Sequence, residues 1–173
     1  MKRFKVIAGC AAVVIVSASF HARKSSDFLY YLVVDKNKYE LSVIDDEGWL
    51  VTYPVVFGNK NLGDKMIDGD LETPEGIYTL VSKSPHDKWD RILLIDYPTK
   101  ADSIQFLERK EQGLIPSNAS MGSNISIHGT APGKEAMIDK YENWTDGSIS
   151  MRNHDVEELY NLVPVGSKVF IRK

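Results

Sequence analysis

Apolar and polar residues alternate with period two over Tyr39, Glu40, Leu41, Ser42, Val43 and Ile44. Such alternation marks a strand with one face in a core and the other in water. Residues 28–34 before it are rich in β-formers, and the Asp35, Lys36, Asn37, Lys38 segment between them is turn material. A second turn at Asp45, Asp46, Glu47 and Gly48 leads into a third apolar run over 49–56, so the pattern predicts an opening β-meander. Further strands are predicted over 77–82, 91–96, 124–128 and 168–172. Helical spacing is weak over 101–110, where Ile104, Phe106 and Leu107 are its apolar positions. It is clearer over 155–162, where Asn153 is the expected N-cap, acidic residues occupy the first turn and Pro164 ends the run. No internal repeat, heptad or low-complexity tract interrupts this pattern. It predicts one mainly β domain, a mixed-sheet sandwich or barrel, with one or two short helices, over residues 26–173.

The first residues follow a different rule. Lys2, Arg3 and Lys5 precede an apolar run over 6–18 that ends in small residues. That is the layout of a signal peptide, or of a signal anchor, over residues 1–22. The run is shorter than the roughly 20 apolar residues that cross a bilayer as a helix, which favours the cleaved form. Ile7, Ala8, Gly9 and Cys10 also resemble a lipoprotein processing box, but the apolar segment before Cys10 is short for one. Cys10 is the single cysteine. With the leader removed, the exported domain has no disulfide and no thiol nucleophile, so its core alone must hold the fold. Periplasm or cell envelope is the expected location.

Composition changes the picture little. The 173 residues are 43% hydrophobic and 26% charged, with net charge -3, which suits one globular core. Both charge signs are scattered, which argues against a nucleic-acid partner. The four histidines, His21, His86, His128 and His154, are not at metal-ligand spacing, so no metal and no cofactor is expected. Asp64, Asp68 and Asp70 lack the full ligand series of a calcium loop and read as a solvated loop.

Three segments carry candidate chemistry. His128 ends an apolar strand and is followed at once by Gly129, a placement that suits a general base held by a rigid element. Thr145, Asp146, Gly147 and Ser148 form a turn just before the best helix. Gly147 there would present the Ser148 side chain and leave backbone N–H groups free around it, as an oxyanion hole requires. Thr73, Pro74, Glu75 and Gly76 make a turn into a strand. Taken singly, each is also an ordinary strand end or polar turn.

Taken together they resemble the L,D-transpeptidase catalytic domain (the YkuD-like family) of bacterial cell-wall enzymes. In that family a His-Gly pair is followed, 14 to 17 residues on, by Ser/Thr-x-Gly-Cys and then an Asn. Here His128-Gly129 precedes Thr145-x-Gly147-Ser148, with 16 residues between His128 and Thr145, and Asn153 follows. The Thr-Pro-x-Gly turn and the opening meander also match, so the resemblance covers about residues 28–173. It implies acyl transfer at the bond between the third residue of a peptidoglycan stem peptide, usually diaminopimelate, and its terminal D-alanine. The acceptor would be another stem, an outer-membrane lipoprotein lysine or water, and the chain is expected to act as a monomer. By position, His128 would be the base, Ser148 the nucleophile and Gly147 part of the oxyanion turn. Gly129, Thr145, Asn153, Trp144, Ser150 and Arg152 would serve substrate binding.

The departure from the family is the nucleophile. A thiol of pKa about 8.5 ionises readily beside a histidine, whereas a serine hydroxyl needs a strictly oriented base. Ser148 is open to three readings: an engineered Cys-to-Ser change, a native serine enzyme, or a non-catalytic relative that binds peptidoglycan or regulates an active enzyme. Ser150 and Asp146 stand where Arg and His are frequent, with Arg152 as a partial substitute for the missing carboxylate clamp. Trp144 and Tyr141 are candidates for an apolar wall. Lys65, Lys134 and Arg109 are candidates for stem carboxylates, and residues 58–72 and 113–124 for cleft-lining loops.

Overall fold

A computed structural model describes residues 30–173. The leader expected over 1–22 lies outside the described residues. Three strands open the domain: β1 (Tyr31–Asp35), β2 (Glu40–Asp45) and β3 (Gly48–Pro54). β4 (Gly76–His86) and β5 (Asp90–Ile95) form a hairpin, followed by α1 (Lys100–Glu111), β6 (Ser126–His128) and α2 (Ala136–Asp139). β7 (Ile149–Ser150), α3 (Asn153–Leu162) and β8 (Lys168–Arg172) complete the order.

The eight strands form one mixed sheet, ordered β3-β2-β1-β8-β4-β5-β6-β7. β8 is parallel to β1 and antiparallel to β4, and β7 is parallel to β6. β4 joins the two halves: its first residues pair with β8, and from Leu80 on it pairs with β5, with an irregularity between Leu80 and Ser82. Just beyond β3, Val56 bridges Ser150 of β7 through N–H···O contacts of 2.8 and 2.9 Å. The two ends of the strand order therefore meet, which gives the sheet its barrel-like closure.

The inward residues predicted by alternation make the core. Leu32 and Val34 of β1 and Leu41 and Val43 of β2 are fully buried. Tyr78, Leu80, Leu93, Ile127, Ile149 and Val169 join them from the other strands, and Val156 and Leu159 of α3 close over them. α1 starts at a capping box in which Thr99 and Asp102 satisfy each other's backbone N–H groups.

Four expectations are corrected. Helices number three among the described residues, because residues 136–139 form a single turn too short to show a period. β4 runs past residue 82 because its far end is a solvent-exposed hairpin arm with no apolar alternation. The predicted loop before α3 contains β7, two residues long. Asn153 is not the N-cap of α3: Arg152 holds that position without a side-chain cap, and the Asn153 N–H donates to the Glu135 carboxylate at 2.7 Å.

Candidate active site

β6 sits between β5 and β7, opposite Ile92 and Ser150, and this fixes His128 at the floor of a cleft. The residue is 6% exposed. Nδ1 lies 2.7 Å from the Gly129 carbonyl oxygen. A carbonyl only accepts, so Nδ1 carries the proton and Nε2 is the basic nitrogen. The ring packs against Trp89 at 5.3 Å and edge-on to Trp144 at 5.6 Å, and the two indoles touch at 5.1 Å. Burial holds the imidazole below its ordinary pKa, the Gly129 bond opposes that shift, and His86 adds a small repulsion.

Gly129 has no room for a side chain: a Cβ would run into Asn153 Oδ1 and the Trp89 carbonyl, which also accepts the Gly129 N–H at 3.0 Å. The Gly129 carbonyl takes a second, longer contact from Ser150 Oγ at 3.4 Å. The imidazole is thus oriented by a carbonyl that itself takes a contact from Ser150.

The turn bearing Ser148 is tied at both ends. Trp144 and Thr145 N–H groups both donate to Phe57 O, at 2.8 and 3.1 Å. Thr145 Oγ1 donates to Ser148 O at 2.6 Å and accepts from Gly147 N at 3.2 Å. Gly147 has φ +110°, and a Cβ there would stand 2.5 Å from the Glu72 carbonyl, so the segment leading into Thr73–Gly76 braces the turn. Ser148 Oγ accepts from Ser126 N–H at 3.2 Å and lies 3.4 Å from Ser126 Oγ. No hydrogen bond joins Ser148 to His128 among the described residues.

His128 and Ser148 open into the same cleft, of about 560 Å³. Trp89, Ile92, Ser126, Trp144 and Thr145 share its lining, with Asn124 at its rim. Sequence reasoning missed Trp89, which stands in a charged turn without a motif. It also missed Ser126, although the two-residue spacing from His128 on one strand puts both on one face.

Of the expected binding residues, Trp144 and Thr145 line the cleft. Asn153 and Ser150 work behind it: Asn153 Oδ1 accepts the buried Thr130 N–H at 2.7 Å, and Ser150 is fully buried. Arg152 is engaged by Asp139 and Asp155 and does not line the cleft, so it does not replace a carboxylate clamp. Tyr141 packs edge-on against Tyr39 instead of the cleft. Lys65 and Arg109 are held by Asp70 and Asp64 on the 58–72 loop and do not line the cleft of His128 and Ser148, and Lys134 is not in the lining either. Of the two candidate loops, 113–124 reaches the cleft through Ser123 and Asn124, whereas 58–72 only borders the Ser148 turn. Among the described residues, no group of three His, Cys, Asp or Glu side chains could hold a metal ion. No helix among them is long and apolar enough to cross a membrane.

Comparison with known proteins points to one family. The family model for the L,D-transpeptidase catalytic domain, YkuD, matches residues 29–171. YqjB of Bacillus subtilis (strain 168), named as an L,D-transpeptidase by inference, is 29% identical over 145 residues, covering 82% of this chain and 70% of its own. The fold is similar to that of Pgp2, a helical cell shape determining protein of Campylobacter jejuni, with TM-score 0.66 and 23% identity. That match covers 85% of this chain and 48% of Pgp2. Bd1075 of Bdellovibrio bacteriovorus aligns with TM-score 0.60 and 21% identity, over 86% of this chain and 49% of its own. The chain therefore spans about half the length of these solved structures. Motif spacing, sheet topology and the matched model converge, and the chain belongs to the L,D-transpeptidase catalytic domain family.

Proposed function

We propose that this cleft takes a peptidoglycan stem peptide and transfers its acyl group from the diaminopimelate–D-alanine bond. One observation carries the reading: the Nδ1 contact with Gly129 leaves Nε2 of a buried, neutral imidazole as the base in the cleft that holds Ser148. In the step, His128 Nε2 takes the Ser148 hydroxyl proton as Oγ bonds to the diaminopimelate carbonyl carbon. The C–N bond to D-alanine breaks, and the imidazolium returns the proton to the departing amine. The acyl-enzyme then passes to an amine of a second stem, to the lysine of an outer-membrane lipoprotein or to water. The protein meets this substrate as a monomer in the cell envelope, after export directed by residues 1–22.

The serine sets the rate. In serine hydrolases a carboxylate steadies the imidazolium, whereas here a carbonyl orients it, so ionisation of a hydroxyl gains little help. A thiol at the same place needs far less. A second reading has its own observation: Ser148 Oγ is held by Ser126 and not by His128, as suits a relative that binds stem peptides without turnover.

The deciding experiment measures D-alanine release from tetrapeptide stems by the native chain and by Ser148→Cys, with intact-mass detection of carbapenem acylation. Release by the native chain, rising at least a hundredfold in Ser148→Cys, supports the acyl-transfer reading. A silent native chain and an active cysteine variant would assign the native protein to binding. Silence of both variants, with no acylation, removes the catalytic reading altogether.

A further inference from the structure

Besides the catalytic pair, the cleft lining carries two charged side chains, Lys88 and Asp146. They arrive on different elements: Lys88 on the turn joining β4 to β5, Asp146 on the turn of the nucleophile position, two residues before Ser148. Both are exposed to solvent. Neither forms an ion pair with the other or with any described residue. Lys88 Nζ stands 4.2 Å over the Trp89 ring, the ring that also packs on His128 and Trp144. The ammonium is thereby kept against the aromatic wall of the site.

Neighbouring cations are committed elsewhere. Arg91 is held by Asp90 and Glu157, and Arg152 by Asp139 and Asp155. His128, held below its ordinary pKa by burial, contributes no charge near neutral pH. The cleft therefore offers one uncompensated cation and one uncompensated anion, from two separate elements, beside the reacting centre. A ligand complementary to it carries both signs on one short branch.

We propose that Lys88 and Asp146 recognise the zwitterionic end of the stem peptide's third side chain, an α-amino carboxylate, with its carboxylate toward Lys88 and its ammonium toward Asp146. This rests on the stem-peptide reading above and adds to it the two residues that would favour a diamino dicarboxylic acid over a plain diamine such as lysine. The Arg clamp that the sequence lacks is supplied from the β4–β5 turn instead. Lys88 and Asp146 are specificity residues, not catalytic ones.

Direct calorimetric titration of the native chain tests this with three stem tripeptides. One ends in diaminopimelate, the second in diaminopimelate amidated at its side-chain carboxyl, and the third in lysine. The free-carboxylate peptide should bind about tenfold tighter than the other two, about 1.4 kcal/mol. Lys88→Met, which keeps an apolar chain over Trp89, should erase that preference. Asp146→Asn should weaken all three peptides alike, because each retains the ammonium. Equal binding of the three peptides by the native chain overturns the assignment alone, as does a preference that survives Lys88→Met or unchanged affinity in Asp146→Asn. Absence of binding by every peptide overturns the stem-peptide reading itself, and this assignment with it.

Discussion

His128 Nδ1 and the carbonyl oxygen of Gly129, its own chain neighbour, are 2.7 Å apart, so the hydrogen bond that orients this imidazole comes from the main chain. The contact fixes which nitrogen faces the cleft. Burial between Trp89 and Trp144 fixes how basic that nitrogen is.

A pH dependence follows directly. The folded imidazole titrates below the ordinary value of about 6.5, so the His128 ring signals of the chain with Ser148, followed by NMR, should titrate with a midpoint under about 6.5. Stability moves in the same sense. The unfolded chain binds a proton before the buried ring does, so this contribution is complete above about pH 6.5 and is lost as pH falls through the folded pKa. Chemical denaturation of the native chain and His128→Gln between pH 7 and 5 checks it, the variant losing less stability on acidification.

Gly147→Ala should be strongly destabilising, by about 2–4 kcal/mol, because it combines a strained φ with a collision against main chain. Urea unfolding measures the loss. Carbapenem acylation in the Ser148→Cys background should fall with it, since the added methyl displaces the nucleophile's turn.

Asn153→Ala leaves the buried Thr130 N–H without its acceptor and should cost about 1–3 kcal/mol. Asn153→Asp preserves an acceptor and should recover most of that loss, less a penalty from the Glu135 carboxylate nearby. Thermal melts of the two variants compared with native protein separate the hydrogen bond from the charge.

Ser126→Ala removes one hydroxyl contact to Ser148 and leaves the backbone one. The fold should lose no more than about 1 kcal/mol, while the reactivity of a cysteine at 148 should change through its orientation. Rates of alkylation of Ser148→Cys with and without Ser126→Ala report this without any substrate.

What the sequence made legible was whatever repeats with a period or holds a fixed spacing. The alternation over 39–44 puts Leu41 and Val43 in the core, and the interval from His128 to Thr145 marks two segments that the structure brings to one cleft. Trp89 and Lys88 escaped because their place in the cleft depends on the pairing of β5 with β6, which sets the β4–β5 turn beside His128 and Gly129 and which no local pattern encodes. The basic candidates Lys65 and Arg109 failed for the same reason: their partners, Asp70 and Asp64, lie on a loop whose course is set by tertiary contacts. Asn153 reads in the sequence as a helix N-cap and, by resemblance, as a substrate-binding residue, whereas its side chain accepts the Thr130 N–H behind the cleft.

The placement of β8 between β1 and β4 bears on the order in which the molecule assembles. The meander of β1 to β3 and the β4–β5 hairpin are local and can pair early, yet the seam that unites them is the last described strand. Until residues 168–172 arrive, the nascent chain holds two half-sheets with open edges, and long-range pairing of this kind is slow. Joining the two half-sheets through β8 therefore makes the commitment to one closed sheet a late, long-range step among the described residues.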